Sequence, residues 1–475
     1  MGKRILIFSD GTGQIGGMRP DQRLSNVYKM YRAMRSGPDS PISPKEQIAF
    51  YDAGLGTGEV VGGLFTKIQR ALGAGVGNGI DENIIDCYEK IIAYYEPGDE
   101  VLLFGFSRGA YTVRSVANVM NLCGIPTKMK DGSPIPRYGD ELRKIASDAV
   151  KYVYNHGAGR PRGEEPYYFQ REEKGRRFRE KYACSAEGAK ACEQGNVQPT
   201  FVGVYDTVAA LDSKTIKTLA YGAIWLLGAA LAYSIWTGWP WYITGVVGLA
   251  FLFFLYRTIA IWFAQWKYFS RDPNKPRKIT NPLDWWAIWR NGHWATWSKK
   301  NYDRYLDSDV QFARHALSID EARADFPRVA WGSNEEMSKA EGRNPAWLKQ
   351  VWFAGCHSHV GGSYPEDESR LSDIPLEWMV SELKECLPSI QIREDLLNCW
   401  PDAKGLQHAE VYFFKLGPIK IKWRTRVRKI AKGAALHSSV LERLKADNVP
   451  QLGVSKLYRP SELAEHSEAG SFFTK

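Results

Sequence analysis

A serine stands in a Gly-x-Ser-x-Gly pattern at residues 105–109, with Ser107 at its centre. The apolar residues 101–104 lead into it, and residues 108–113 have the composition of a helix start. This strand–turn–helix context is typical of a serine nucleophile, because the glycines permit the sharp turn that exposes the hydroxyl. The backbone N–H of Arg108 would then face the oxyanion of an acyl-transfer reaction. The alternative is an ordinary glycine-rich turn between a strand and a helix.

A serine hydroxyl needs a base to take its proton and an acid to orient that base. Asp206 follows the apolar residues 201–205, and His357 follows a second apolar run that includes residues 352–355. If both runs are strands, the two side chains lie at the same sheet edge as Ser107. Their order along the chain, serine, acid and histidine, is that of α/β hydrolases. The sequence therefore predicts a triad of Ser107, Asp206 and His357.

Three other histidines compete with His357 for the role of base. His359 lies two residues further on and remains an alternative. The segment around His315 looks helical, so this residue is expected only to support the site. His437 lies near the carboxyl end of the chain.

A glycine loop at residues 10–13 closes the first apolar run. Such a loop can supply a second oxyanion donor, which adds Asp10, Gly11 and Thr12 to Arg108 as candidate oxyanion and substrate-binding residues. A phosphate loop is the alternative. However, the segment lacks the Lys-Ser/Thr pair of nucleotide-binding loops and the spacing of a dinucleotide fingerprint.

The elements that must position these residues alternate between apolar strands and amphipathic helices. Strands are predicted at residues 4–8, 48–51, 101–106, 201–205 and 352–355, and helices at 27–34, 80–95 and 110–122. Apolar strands alternating with helices predict a parallel α/β sheet that is covered on both faces. Such sheets carry their chemistry at the carboxyl ends of the strands.

Two stretches without a charged residue, 219–236 and 239–256, interrupt this pattern. Each would span roughly 27 Å as a helix, which suffices for the hydrocarbon core of a membrane. Basic residues flank both ends, so the positive-inside rule places both ends, and the catalytic domain, on the cytoplasmic side of a bacterial inner membrane. A buried helical hairpin and a re-entrant hairpin are the alternatives.

Charge and aromatic residues favour a lipid partner. The formal net charge is +10, and no zinc-finger, helix-turn-helix or RNA-binding pattern accompanies it, so nucleic acid is not expected. Many of the 17 tryptophans fall between Trp225 and Trp297, and residues 285–297 resemble an interfacial platform. Residues 419–429 alternate apolar with basic side chains, which fits either lipid headgroups or a charged edge strand.

The seven cysteines form no Cys-x-x-Cys pair, so neither a metal site nor a disulfide framework is indicated. No metal or organic cofactor is expected. The predicted organisation is a first part of the hydrolase core at residues 1–213, a membrane hairpin with a Trp-rich insertion at 214–300, a second core part at 301–400, and a basic carboxyl-terminal region at 401–475.

Taken in order, several motifs resemble the bacterial α/β-hydrolase family typified by type VI secretion phospholipase effectors. The segments that carry the resemblance are residues 8–13, 25–27, 51–57, 105–111, 204–208, 314–321, 353–358 and 371–379. The resemblance implies ester hydrolysis of phospholipids by Ser107, Asp206 and His357. One position departs from the family pattern, since His359 stands where the family has an aspartate.

The expected function is therefore a membrane-associated, phospholipase A-like or lysophospholipase-like hydrolase of lipid acyl esters. The rival is a catalytically silent, membrane-bound scaffold or sensor that keeps the fold. A secreted effector that inserts into a target membrane, and is countered by an immunity protein, is a further alternative.

Overall fold

The computed structural model describes residues 2–17, 23–54, 78–208, 214–272, 281–296, 303–324, 326–408, 413–416, 419–422 and 424–473. Residues 55–57 of the family motifs, together with Trp297 and Trp423, lie outside these ranges.

The strands are β1 (Arg4–Ser9), β2 (Gln47–Asp52), β3 (Glu100–Phe106), β4 (Phe201–Tyr205), β5 (Trp266–Tyr268), β6 (Gly292–Trp294), β7 (Phe312–Ser318), β8 (Leu348–Phe353), β9 (Phe413–Leu416), β10 (Ile419–Lys422), β11 (Val449–Gln451) and β12 (Val454–Lys456). The α-helices are α1 (Asn26–Met34), α2 (Asn78–Tyr94), α3 (Arg108–Cys123), α4 (Gly139–Ser147), α5 (Tyr167–Lys181), α6 (Lys214–Trp236), α7 (Trp241–Gln265), α8 (Trp285–Asn291), α9 (Asn334–Lys339), α10 (His357–Gly361), α11 (Arg370–Cys386) and α12 (Ser438–Lys445).

Six strands form the central sheet in the order β2-β1-β3-β4-β7-β8, and each neighbouring pair is parallel. The predicted parallel sheet is thus confirmed. The strand order reverses between β1 and β3, because β2 lies to one side of β1 and all later strands lie to the other. Such a switch point opens a crevice at the carboxyl ends of the two strands, where open α/β sheets bind their ligands.

Alternation along the strands explains why β1 and β3 are almost wholly apolar. In β1, Ile5 and Ile7 pack into one core cluster, whereas Leu6 and Phe8 pack into another on the opposite face. Helices α2 and α3 contribute to the first cluster, and α1 and α11 to the second. Because successive strand side chains point to opposite faces, a strand covered on both sides favours apolar residues at most of its positions.

The predicted elements agree with the structure to within a few residues at their ends, but the prediction for His315 was wrong. His315 lies in the middle of β7, not in a helix, and is fully buried. The run Phe312–Ser318 is short and contains two alanines, so its own periodicity does not separate a strand from a helix. Pairing with β4 and β8 fixes it as a strand.

Helices α6 and α7 form an antiparallel pair with an exposed apolar surface. Trp225 and Trp236 on α6 are 80% and 83% exposed, and Trp241 at the start of α7 is 85% exposed. Within the described part of the chain, α7 alone has the length and apolar character for a membrane span, with a mean hydropathy of 2.0 over its most apolar window. The apolar stretch of α6, Tyr221–Trp236, is shorter.

The carboxyl-terminal region packs directly on the outer edge of the sheet. Val440, Leu444 and Tyr458 are buried in a third cluster with Leu317 of β7 and Trp352 of β8. Residues 436 and 352 also form a parallel bridge. The last part of the chain is therefore joined to the sheet through its own apolar core.

A buried ion pair joins the two helices that cover one face of the sheet. Lys29 of α1 lies 3.0 Å from Asp373 of α11, and both side chains are almost fully buried. The ammonium also donates to Glu366 at 3.1 Å and to the carbonyl of Asn398 at 3.0 Å. Asp373 belongs to the family motif at residues 371–379, and its ion pair with Lys29 gives it a structural role.

We expect Lys29→Met to lower the free energy of unfolding by up to roughly 3–5 kcal/mol, because it removes the buried cation nearest to Asp373 and leaves this carboxylate only the partly exposed Arg370, at 3.3 Å, as a positive partner among the described residues. Lys130→Met is the matched control, since Lys130 pairs with Glu180 on the surface, and it should change stability by less than about 1 kcal/mol. Urea unfolding in detergent micelles measures both values. Equal losses in the two variants would contradict this role of Lys29.

Candidate active site

Ser107 occupies a strained turn between β3 and α3. Its φ is 58° and its ψ is −119°, a left-handed conformation that is uncommon for residues other than glycine. The flanking glycines are required by close backbone contacts. A Cβ at Gly105 would lie 2.5 Å from the carbonyl oxygen of Gly109, and one at Gly109 would lie 2.6 Å from that of Asp10. The motif therefore forms the tight turn that its glycines predict.

The turn is tied to the end of the neighbouring strand β4. The Ser107 N–H donates to the carbonyl of Tyr205 at 3.1 Å, and the Val208 N–H donates to the carbonyl of Ser107 at 3.3 Å. Asp206 lies between these two contacts and also has a positive φ, 37°. Ser107 and Asp206 are thus held at one edge of the sheet by the pairing of β3 with β4.

His357 begins helix α10 after β8, and its imidazole reaches back to Asp206. The distance from His357 Nδ1 to Asp206 Oδ2 is 2.5 Å. Phe106, the residue before Ser107, packs against the imidazole with ring centroids 4.6 Å apart, and Phe326 contacts it at 5.3 Å. The other ring nitrogen, Nε2, is buried and has no hydrogen-bond partner among the described residues. It is therefore available to a further group.

The Asp206 carboxylate is fully buried and has three further donors. Ser318 N–H donates to Oδ1 at 3.1 Å, and the Arg428 guanidinium donates to Oδ1 at 2.5 Å and to Oδ2 at 3.0 Å. Burial by itself raises the pKa of Asp206, but the charge of Arg428 and the hydrogen bond from His357 outweigh it. The pKa of Asp206 consequently lies well below its ordinary value, and the group is ionised at neutral pH.

The competing histidines have other partners. His359 Nδ1 contacts Cys356, with 3.2 Å to its backbone N–H and 3.0 Å to its thiol, and His359 Nε2 accepts from the His408 N–H at 3.0 Å. His315 contacts Thr207 and Gln350 through its two ring nitrogens. His437 caps α12 by accepting from the Ser439 N–H. His315 thus contacts Thr207, the residue that follows Asp206.

The loop of Asp10 lies across the switch point from Ser107. A Cβ at Gly11 would lie 3.3 Å from the Ser107 Cβ. The Asp10 carboxylate is buried and accepts from the Gly11 N–H, Tyr51 and Ser25. Burial raises its pKa to about 6, although these hydrogen bonds lower it in part. The Asp10 side chain thus fixes the shape of the loop beside the serine.

Arg108, the first residue of α3, is half-buried next to Ser107. Burial lowers the pKa of its guanidinium to about 10.

No group of three or more potential metal ligands occurs within the described ranges.

The sequence patterns did not reveal Arg428 as a site residue. It lies in the basic stretch 419–429, whose composition is typical of an exposed segment, and it is 222 positions from Asp206. Nothing in the local sequence distinguishes Arg428 from its basic neighbours, so only the folded chain reveals the contact.

The model of one protein family, the T6SS phospholipase effector Tle1-like catalytic domain, matches residues 3–231 and 281–382. The match covers more than half of the chain and includes Ser107, Asp206 and His357. The chain belongs to this Tle1-like family. Helix α7 lies between the two matched segments, and Arg428 lies beyond the second.

The individual relatives either match only a short part of this chain or have a low sequence identity to it. Uncharacterized protein YEL023C of Saccharomyces cerevisiae is 31% identical over 134 residues, which are 27% of this chain and 18% of that protein. A crystal structure of an uncharacterized Pseudomonas aeruginosa protein aligns at 14% identity and a TM-score of 0.35, covering 85% of this chain and 49% of the other. A Tle1 effector bound to the VgrG spike of the type 6 secretion system aligns at 15% identity and a TM-score of 0.28, covering 78% and 53%. The chain thus spans about half the length of these two solved chains.

For the base in this Tle1-like chain, we expect His357→Asn to abolish labelling by a fluorophosphonate probe, which reacts only with an activated serine. His359→Asn should only reduce labelling, because both ring nitrogens of His359 contact Cys356 or His408. In-gel fluorescence of the two purified variants gives the ranking. Full labelling of His357→Asn together with none of His359→Asn would move the base to His359.

Proposed function

We propose that the chain is a serine hydrolase of the phospholipase A type, which cleaves acyl esters of phospholipids or lysophospholipids. The observation that carries the proposal is the strained Ser107 turn at the same sheet edge as the buried Asp206–His357 pair. Membership of a phospholipase effector family supports the choice of a lipid ester as the substrate.

In the proposed reaction, Ser107 Oγ attacks the acyl carbonyl carbon while His357 Nε2 accepts the hydroxyl proton. The tetrahedral intermediate then collapses: the ester C–O bond breaks, and the leaving alcohol takes the proton from His357. A water molecule next attacks the acyl-enzyme with His357 again as base, which releases the fatty acid and restores Ser107. Asp206 remains ionised throughout and stabilises the imidazolium.

Two backbone donors would stabilise the oxyanion. The first is the N–H of Arg108 at the start of α3, where the helix dipole also favours negative charge. The Gly11 N–H already donates to Asp10 Oδ1, so we assign the second donor to Thr12 in the same loop. The half-buried Arg108 guanidinium is well suited to bind the phosphate of the substrate, because Arg binds phosphate through bidentate hydrogen bonds.

The exposed hairpin of α6 and α7 is proposed to insert into the bilayer. A continuous apolar surface of this size is unfavourable in water, whereas lipid would cover it. The exposed residues Leu283, Trp285, Trp286 and Trp289 would lie at the membrane interface beside it. Family membership favours an effector that acts in the membrane of a target cell, with an immunity protein as its partner. A resident enzyme of the inner membrane, with its catalytic domain in the cytoplasm, is the alternative location.

Ser107→Ala should lower ester turnover by roughly a thousandfold or more, because removal of a triad nucleophile leaves only binding and oxyanion stabilisation. Release of fatty acid from mixed phospholipid–detergent micelles measures the loss. Ser115→Ala is the matched control, since Ser115 is buried on the same helix and contacts Tyr154.

Two results would count against this proposal. Retained turnover in Ser107→Ala would exclude Ser107 as the nucleophile. A wild-type protein that neither releases fatty acid nor reacts with the probe would indicate the silent scaffold instead.

Deletion of residues 219–256 should release the protein from membranes, because it removes most of the exposed apolar surface. Some binding to anionic vesicles should persist through Trp285, Trp286 and the exposed basic residues Arg424, Arg426 and Lys429, and it should weaken as salt is added. Vesicle co-sedimentation at two salt concentrations measures both effects. If the intact protein stays in the supernatant with vesicles of every composition, the hairpin does not insert.

A further inference from the structure

The segment that contains Arg428 crosses directly over the loop after β7. Ala324 N–H donates to the carbonyl of Arg424 at 2.8 Å, and Arg426 N–H donates to that of Ala322 at 2.7 Å. Residues 424–427 are exposed, whereas Arg428 is only 9% exposed. The backbone pairing therefore holds a surface segment in place, and this segment directs a single guanidinium into the interior.

Among the described residues, this guanidinium donates hydrogen bonds to Asp206 and to two backbone carbonyls near it. Besides both oxygens of Asp206, it donates to the carbonyl of Ser318 at 3.1 Å and to that of Phe326 at 3.3 Å. Phe326 in turn packs edge-on against His357. Arg428 thus bonds both to the carboxylate that holds His357 and to the backbone beside an aromatic ring that contacts His357.

We propose that Arg428 is a positioning residue, which fixes the rotamer of Asp206 and balances the charge of this carboxylate beside His357. This inference rests on the proposed function. With both carboxylate oxygens held, Asp206 can present Oδ2 to His357 in only one orientation. The guanidinium also offsets the negative charge that would otherwise stabilise a protonated His357.

Other charged groups around the pair are less directly placed. Arg328 and His315 interact with Asp206 electrostatically without a hydrogen bond to it within the described residues. Glu321 accepts from the backbone N–H of His357 at 3.2 Å, and its charge is paired with Arg323. Removing Arg428 should therefore change the net charge beside the Asp206–His357 pair more than removing any of these other groups would.

The pH dependence of kcat/KM for a soluble short-chain p-nitrophenyl ester tests the proposal, since a soluble substrate removes any contribution from membrane binding. In Arg428→Gln, the acidic limb of the profile should shift to higher pH by about one unit. This shift lowers kcat/KM roughly tenfold at pH values below the limb. The loss should be smaller at high pH, where His357 is unprotonated in both proteins. Arg428→Lys keeps the charge and should retain the wild-type acid limb, with kcat reduced by the loss of one of the two hydrogen bonds.

Lys432→Gln is the matched control, because it removes one positive charge from the same part of the chain at an exposed position, and it should leave the profile unchanged. An Arg428→Gln profile that is lowered equally at every pH would show a merely structural role and overturn the proposal. If Arg428→Gln does not fold, an acid limb that moves in Arg428→Lys overturns it equally. A wild-type protein that does not hydrolyse the ester, or a Ser107→Ala variant that still does, would instead refute the proposed function.

Discussion

The arrangement of the site depends on one buried negative charge. The Asp206 carboxylate is fully buried, and a charge in that position is stable only when hydrogen bonds and an opposite charge compensate it. His357, Ser318 and Arg428 provide this compensation. These partners come from the loop after β8, from the end of β7 and from the carboxyl-terminal region. Balancing the charge therefore fixes three distant parts of the chain relative to one another.

The parallel sheet makes this convergence possible. All six strands run in one direction, so the segments that follow β1, β3, β4 and β8 meet at the same edge. Apolar clusters cover both faces of the sheet, and Ser107, Asp206 and His357 follow the ends of their strands. The reversal of strand order between β1 and β3 then places the Asp10 loop beside Ser107, as the proposed reaction requires of a nucleophile and its oxyanion donors.

The regions outside the family match add two features to this core. Helix α7 presents an apolar surface for which the described residues provide no cover, and the carboxyl-terminal region packs its own core on the outer strand β8. Because that second region also supplies Arg428, one segment carries exposed basic residues and also a guanidinium that contacts Asp206. A change in the packing of residues 424–428 would therefore directly alter the hydrogen bonds of Asp206.

The sequence by itself determined the elements whose signals are local. Apolar runs bounded by glycine and aspartate predicted five of the six sheet strands, and the positions of Asp206 and His357 at strand ends predicted that these two residues lie together, as they do. The catalytic triad of these two residues with Ser107 stays a prediction. The strand at His315 was missed, because seven residues with little alternation do not distinguish a strand from a helix until β4 and β8 pair with them. Arg428 could not be predicted at all. Its role comes from a contact across 222 positions, and only tertiary packing decides which basic side chain turns inward.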